Sequence, residues 1–355
     1  MRSPKSLTAL TGMAAVLALG LAACGGGGGA QGTTTTTTGA TSTAAKALRI
    51  GLAFDVGGRG DGTFNDLAVK GLEKAKADFG AQSKELSPKE DGSDRPDLLR
   101  QLADDGYNPI IGVGFSYSQP LGTVAKEYPD VQFIGIDTFV ADEVNVANDT
   151  FAEHEGSFLV GVAAALKSKS NHIGFIGGNE SALITKFWAG YKQGAMAVKP
   201  DIKIDEKRLA AGESGAGFGD TAGAKVAAQA MYQAGADVVY TAAGGSFAGS
   251  FPAAVEAGAG HWAIGVDSDQ YNTVTDPAQK KIILTSMVKR VDSAVYASLK
   301  SFKETGKVVS TAYGLQDNGV GYSTSGGFVD DIKSQLESYR QKILDGTLRV
   351  SETVS

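Results

Sequence analysis

From residue 48 onward the chain alternates short β-rich runs with helical patterns, and few architectures accommodate that rhythm. Runs at 48–54, 109–115, 131–136, 172–176, 238–242 and 263–266 are separated by apolar-periodic stretches that include 67–79, 121–128, 151–167, 183–198, 222–234 and 251–257. The pattern predicts an α/β protein of βαβ units, with parallel sheets covered by helices on both faces. There are more strands than a comfortable single sheet holds at this length, so two sheets are expected. The 48 glycines suit the many tight strand-to-helix turns such a chain needs. Two of the runs echo each other: Phe133-Ile134-Gly135-Ile136-Asp137 and Ala263-Ile264-Gly265-Val266-Asp267 each end in an aspartate. In parallel α/β sheets ligands gather beyond the carboxyl ends of strands, where both carboxylates point. Capping of the next turn is the alternative role for either one.

The first 46 residues follow different rules. Arg2 and Lys5 precede a mostly small or apolar run from 7 to 21, which reads as an export signal and is too short and wrongly flanked to span a membrane. Leu21-Ala22-Ala23-Cys24, with the chain's only cysteine, resembles the lipobox of bacterial lipoproteins. That resemblance implies cleavage after residue 23, a lipid on Cys24 and a place at the extracytoplasmic face of the cell membrane. Residues 24–46, with Gly25 to Gly29 and Thr33 to Thr38, cannot bury apolar surface and read as a disordered tether. A flexible coil of that length holds the folded body on the order of 25 Å from the lipid.

Without the signal the chain carries 31 Lys and Arg against 39 Asp and Glu, a net charge of −8. Such a surface argues against nucleic acid as a partner. With one cysteine there is no intrachain disulfide and no thiolate metal cluster. His154, His172 and His261 lie far apart without ligand spacing, so no metal or cofactor is expected. The glycine-rich segments also fail as catalytic motifs. Tyr117 stands where a dinucleotide fingerprint starting at Gly112 needs its third glycine, and Ala248 breaks a nucleophile elbow at Gly244-Gly245-Ser246-Phe247.

The richest segment is Asp55-Val56-Gly57-Gly58-Arg59-Gly60-Asp61-Gly62-Thr63-Phe64-Asn65-Asp66, a glycine-rich loop between the first strand and a helix. Asp55 can accept hydrogen bonds from amino or hydroxyl groups, Phe64 offers a flat π-face, and Asn65 carries a donor and an acceptor. A planar heterocycle with a polar edge has matching needs. The structural alternative is that Asp55 caps a turn, Phe64 is core and Asn65 caps the helix beginning at Asp66.

This loop, together with Gly112-Val113-Gly114-Phe115, the strand ending at Asp137, residues 151–161 and 174–179, Gly265-Val266-Asp267-Ser268-Asp269-Gln270 and residues 284–291, resembles the basic membrane protein family of lipoproteins, purine nucleoside receptor type. The resemblance covers residues 48–305. It implies a type I periplasmic-binding-protein fold, two doubly wound parallel-sheet lobes joined by three hinge strands, acting as the solute receptor of an ABC importer. The first lobe is expected from residues 47–147 plus 270–305, and the second from 148–269 plus 306–350. The ligand implied is a nucleoside, the membrane partner an ABC permease, and the receptor a monomer without enzymatic activity. Carried over by motif, Asp55, Phe64, Asn65 and Asp137 belong to the base, Phe218 is a second stacking ring, and Asp267 and Lys289 belong to the ribose.

Those residue types suit the roles. A carboxylate such as Asp267 accepts from both vicinal hydroxyls of a ribose, and an ammonium such as Lys289 donates to sugar oxygens while balancing buried negative charge. Lys289 sits at a helix start, where a cation opposes the dipole, which hints at an anionic partner distant in sequence. Phe218 as plain core remains open, and Trp188 is expected to pack internally or to substitute as a stacking ring. Competing functions are the same fold holding a sugar or a furanone signal, a nucleoside hydrolase, and a surface adhesin. The hydrolase is disfavoured because no Asp-x-Asp-x-x-x-Asp-Asp run occurs at the first strand.

Overall fold

The computed structural model describes residues 47–354. The signal segment 1–23, Cys24 and the tether 24–46 lie outside the described residues.

Along the chain, β1 (Arg49–Ala53), α1 (Phe64–Phe79), β2 (Gln82–Leu86), α2 (Arg95–Asp104), β3 (Ile110–Val113), α3 (Ser118–Glu127), β4 (Phe133–Ile136) and β5 (Val146–Phe151) come first. Then follow α4 (Glu153–Lys167), β6 (His172–Gly177), α5 (Ala182–Val198), β7 (Lys203–Arg208), α6 (Thr221–Gln233), β8 (Val238–Ala242), α7 (Phe247–Ala257) and β9 (Trp262–Asp267). The last stretch comprises α8 (Gln270–Thr273), α9 (Pro277–Lys280), β10 (Ile283–Lys289), α10 (Val291–Thr305), β11 (Thr311–Tyr313), β12 (Val320–Tyr322) and α11 (Lys333–Leu344).

The strands form two six-stranded sheets, β11-β5-β4-β3-β1-β2 and β12-β10-β9-β8-β6-β7, the same order repeated. Every pairing is parallel except β10 with β12, whose residues Met287 and Tyr322 oppose each other. The inner strands β3, β4, β6 and β8 are buried at every position, as strands covered by helices on both faces must be. The two lobes expected from the alternation are therefore present, with the expected doubly wound, type I binding-protein architecture.

The chain crosses between sheets three times, after Phe151, after Lys289 and between β11 and β12. These crossings move the expected lobe boundaries. Residues 148–151, assigned above to the second lobe, complete β5 of the first sheet, and β11 belongs to that sheet too. Within 270–305, assigned to the first lobe, β10 pairs with β9 of the second sheet, while α10 packs on α1 through a Phe79–Tyr296 ring stack 5.6 Å apart. The physical reason is that both β5 and β10 run to their carboxyl ends before the chain crosses. Periodicity marks where a strand lies but not the edge on which it pairs.

Helices α4 and α5 approach so closely that only glycine fits. A Cβ at Gly161 would meet the Tyr191 carbonyl, at Gly190 that of His154, and at Gly194 that of Phe158. This seam ties the first crossing, where α4 begins, to the helix that carries one wall of the cleft.

Candidate functional site

The carboxyl ends of both sheets face a cleft between the lobes, a space of about 520 Å³ that is partly open to solvent. Six strand ends deliver groups to it: Asp55 after β1, Gly114 and Phe115 after β3, Asp137 after β4, Gly244 after β8, Asp267 from β9 and Lys289 from β10. Helix α1 adds Phe64 and Asn65, and α5 adds Leu183, Ile184 and Phe187. All seven ligand-binding candidates named from the sequence, Phe218 included, line this one cleft.

At one end Lys289 is buried among acids. Its Nζ donates to Asp137 Oδ2 at 2.6 Å and lies 3.7 Å from Glu153 Oε1 and 3.8 Å from Asp267 Oδ1. The ammonium also sits 4.8 Å from the Phe64 ring centre and 5.4 Å from that of Phe187. Burial opposes the charge on Lys289, but Asp137, Asp267 and Glu153 outweigh it and hold the lysine protonated, its pKa raised. Burial pushes Asp267 up to about 6 against the pull of Lys289, and raises Glu153 as well. Asp137 Oδ1 and Asp267 Oδ1 are buried without a hydrogen-bond donor from the protein. The cleft therefore holds a cation with unspent donors beside acceptors with unspent lone pairs.

Asp137 and Asp267 are twins in conformation as well as in sequence, both with φ of 62° at the end of the fourth strand of their sheets. Aspartate is among the few non-glycine residues that accept this left-handed geometry. Neither side chain is a turn cap: Asp137 accepts from Lys289, and Asp267 faces it.

At the other end Asp55 Oδ1 accepts from Arg95 Nη2 at 2.6 Å and from the Val56 N–H at 2.8 Å. Asn65 differs from its expected role at the base edge. It lines the cleft, but its Oδ1 accepts from the Asp55 N–H, and its Nδ2 donates to Val56 O and Asp61 Oδ2. Its amide is thus engaged within the loop, which it holds together. Nor does it cap α1. Asp61 accepts the N–H groups of Thr63, Asn65 and Asp66, and Asp66 in turn takes those of Gly60 and Gly62. An aspartate just ahead of a helix start was the available signal for Asp61.

The aromatic lining is richer than expected. Phe218, at the end of a 3₁₀ turn, meets Phe115 of the opposite lobe edge-on, with ring centres 6.0 Å apart. Phe115, Phe187 and Leu183 were not singled out from the sequence. Trp188 packs on Phe175 at 5.2 Å, internally, and its neighbour Phe187 faces the cleft instead. His172 is buried against Asp205 at 2.7 Å, and none of the three histidines lines the cleft. Among the described residues no group of three or more His, Cys, Asp and Glu side chains could hold a metal ion.

Besides the Lys289–Asp137 bond, two hydrogen bonds link the loop ahead of α1 to the turn after β9, one lobe to the other. Thr63 Oγ1 donates to Val266 O at 2.9 Å, and Ser268 Oγ donates to Gly62 O at 3.0 Å.

Two like-ordered sheets, three crossings and a cleft at their carboxyl ends define a bilobal solute-binding protein. Residues 49–353 match the Bmp family model, described as ABC transporter substrate-binding protein PnrA-like, and the chain belongs to that family. It is 32% identical over 338 residues to the ABC transporter nucleoside-binding protein BmpA of Lactococcus lactis, covering 88% of this chain and 92% of that one. An uncharacterized lipoprotein of Pyrococcus abyssi is 36% identical over 292 residues, 79% of this chain and 70% of its own. Among solved structures, an ABC transporter solute-binding protein from Aeropyrum pernix superposes with a TM-score of 0.75 at 27% identity, over 87% of this chain and 94% of that one. The protein is thus an ABC transporter substrate-binding protein.

Proposed function

We propose that this protein captures a nucleoside, a purine nucleoside in the first instance, between its lobes and presents it to the permease of an ABC importer. It does so as a monomer held at the outer face of the cell membrane by acyl chains on Cys24, and it makes and breaks no bond in the ligand. The observation that carries the reading is the pairing of one buried ammonium, Lys289, with carboxylates from both lobes at the end of a slot walled by phenylalanines. Asp267 can accept from both ribose hydroxyls while Lys289 donates to a sugar oxygen. Phe64 and Phe218 supply faces for the heterocycle, and stacking adds roughly 1–3 kcal/mol per base with little selectivity. Asp55 and Asp137 then read its polar edge. The name of the Lactococcus relative supports the nucleoside, and that of the Pyrococcus relative supports the lipid anchor.

Native mass spectrometry of protein purified without added ligand is expected to reveal a bound nucleoside. A thermal-shift panel separates the competitors, since a true ligand raises stability by mass action. Nucleosides are expected to raise the midpoint and free hexoses or furanones to leave it unchanged; the reverse pattern refutes the reading. Release of free base from inosine would make the protein a hydrolase. Incorporation of labelled palmitate, lost in Cys24→Ser, tests the anchor.

A further inference from the structure

Asp55 is 6% exposed, and a buried carboxylate is ionised only where something offsets the loss of water. The offset is Arg95, itself 7% exposed, at the first position of α2. Its Nη2 donates to Asp55 Oδ1, Nη1 donates to Gly92 O, and its guanidinium carbon lies 5.6 Å from the Tyr117 ring centre. Oδ1 is thus shared between Arg95 and the Val56 N–H. Among the described residues no donor reaches Oδ2. That oxygen lies over Gly114, where a Cβ would collide with it, so the cleft wall at this point is carboxylate and bare backbone.

We propose that Arg95 is a specificity-determining positioning residue: it keeps Asp55 an anion with one oxygen committed and one free, so that the cleft takes heterocycles offering an N–H there and rejects those offering only acceptors. The inference rests on the nucleoside reading and adds to it a residue that itself touches no ligand. An ionised Asp55 can only accept. A base with an amino group or a protonated ring nitrogen completes the free oxygen. A base without either leaves that oxygen desolvated and without a donor, the situation in which binding sites discriminate most strongly.

The other groups facing Asp55 do not supply the missing charge. Asp137, on the same lobe at the end of β4, is a like charge that opposes ionisation, and Asp61 in the same loop carries the same sign. The Tyr117 hydroxyl is committed to Phe54 O, and the Asn65 amide to Val56 O and Asp61. Burial raises the Asp55 pKa, and Arg95 is the largest opposing influence. Without Arg95 the carboxyl would hold its proton to higher pH and turn from acceptor to donor.

Isothermal titration of the full chain with inosine, adenosine and purine riboside tests this, because the purine riboside base carries no N–H at all. The wild type is expected to bind inosine and adenosine at least tenfold more tightly than purine riboside. In Arg95→Met that gap is expected to shrink. The pH at which inosine affinity falls on acidification should move up by at least one unit, and Arg95→Lys should move it back. Asp55→Asn should remove this part of the pH dependence, separating it from Asp267 and Glu153. Equal wild-type affinity for purine riboside and inosine, or superimposable pH profiles for the wild type and Arg95→Met, overturns the inference and leaves the receptor reading standing. Failure of the wild type to bind any nucleoside overturns both. Should the methionine variant not fold, the wild-type panel with Asp55→Asn still decides.

Discussion

Lys289 is the pivot of the cleft at the scale of single residues, because three carboxylates share one ammonium and each is left with unsatisfied lone pairs. A ligand hydroxyl that reaches Asp267 gains a charge-assisted hydrogen bond in a dry setting. The informative substitution there is Asp267→Asn, since φ of 62° favours Asn over Ala and separates the loss of charge from backbone strain. It is expected to weaken nucleoside binding by about 1.5–3 kcal/mol, roughly 10- to 150-fold, by calorimetry. Unchanged affinity would remove Asp267 from the binding surface. This part of the cleft was legible because an aspartate at the end of a buried strand has few other reasons to be there. Phe187 was not legible: in Lys186-Phe187-Trp188 the indole attracts attention, yet which ring faces inward depends on the rotation of α5, and that is set by the glycine seam with α4.

At the scale of elements, that seam makes α4 and α5 one block. Gly194→Ala would push a methyl group into the Phe158 carbonyl and is expected to cost about 1–3 kcal/mol of unfolding free energy, read from a urea transition. The loop ahead of α1 and the turn after β9 form the second contact between elements. Thr63→Val removes the hydroxyl that donates to Val266 O, at an expected cost of about 0.5–1.5 kcal/mol in binding, a 2- to 10-fold weaker Kd. Because Thr63 does not line the cleft, stopped-flow measurements should show the change in the dissociation rate, with association unaltered. Inner strands were readable as apolar runs. The edge strands β2, Gln82-Ser83-Lys84-Glu85-Leu86, and β7, Lys203-Ile204-Asp205-Glu206-Lys207-Arg208, were not, because an outer strand keeps one side wet and its polar residues erase the signal.

For the molecule as a whole, a group of buried acids sets a direction for stability against pH. Burial raises Asp149 to about 7 and Asp267 to about 6, and Glu153 shifts the same way. Unfolded, these carboxyls lose their protons near pH 4, whereas folded they keep them longer. The native state binds more protons in between, and stability therefore falls as pH rises from about 4 to about 7. The urea midpoint is expected to be higher at pH 5 than at pH 8, with each fully displaced group worth on the order of 3 kcal/mol. Glu153→Gln should flatten the slope, and a midpoint that rises over this range contradicts the assignment. The bilobal plan was visible in the repeated strand–helix rhythm and the paired aspartates. The crossings were misplaced because sheet membership is decided by pairing between segments far apart in sequence, such as β10 with β9 and β11 with β5.

Trp188 follows Phe187 directly on α5, and the chain has only one other indole, Trp262, which packs against Phe328 at 5.0 Å. The Trp188 indole, packed on Phe175, therefore lies one residue along the helix from a ring that faces the cleft. A Trp262→Phe variant would leave that indole as the sole tryptophan emitter, and titration with a nucleoside, without a dye or a tag, would read whether filling the cleft changes its emission.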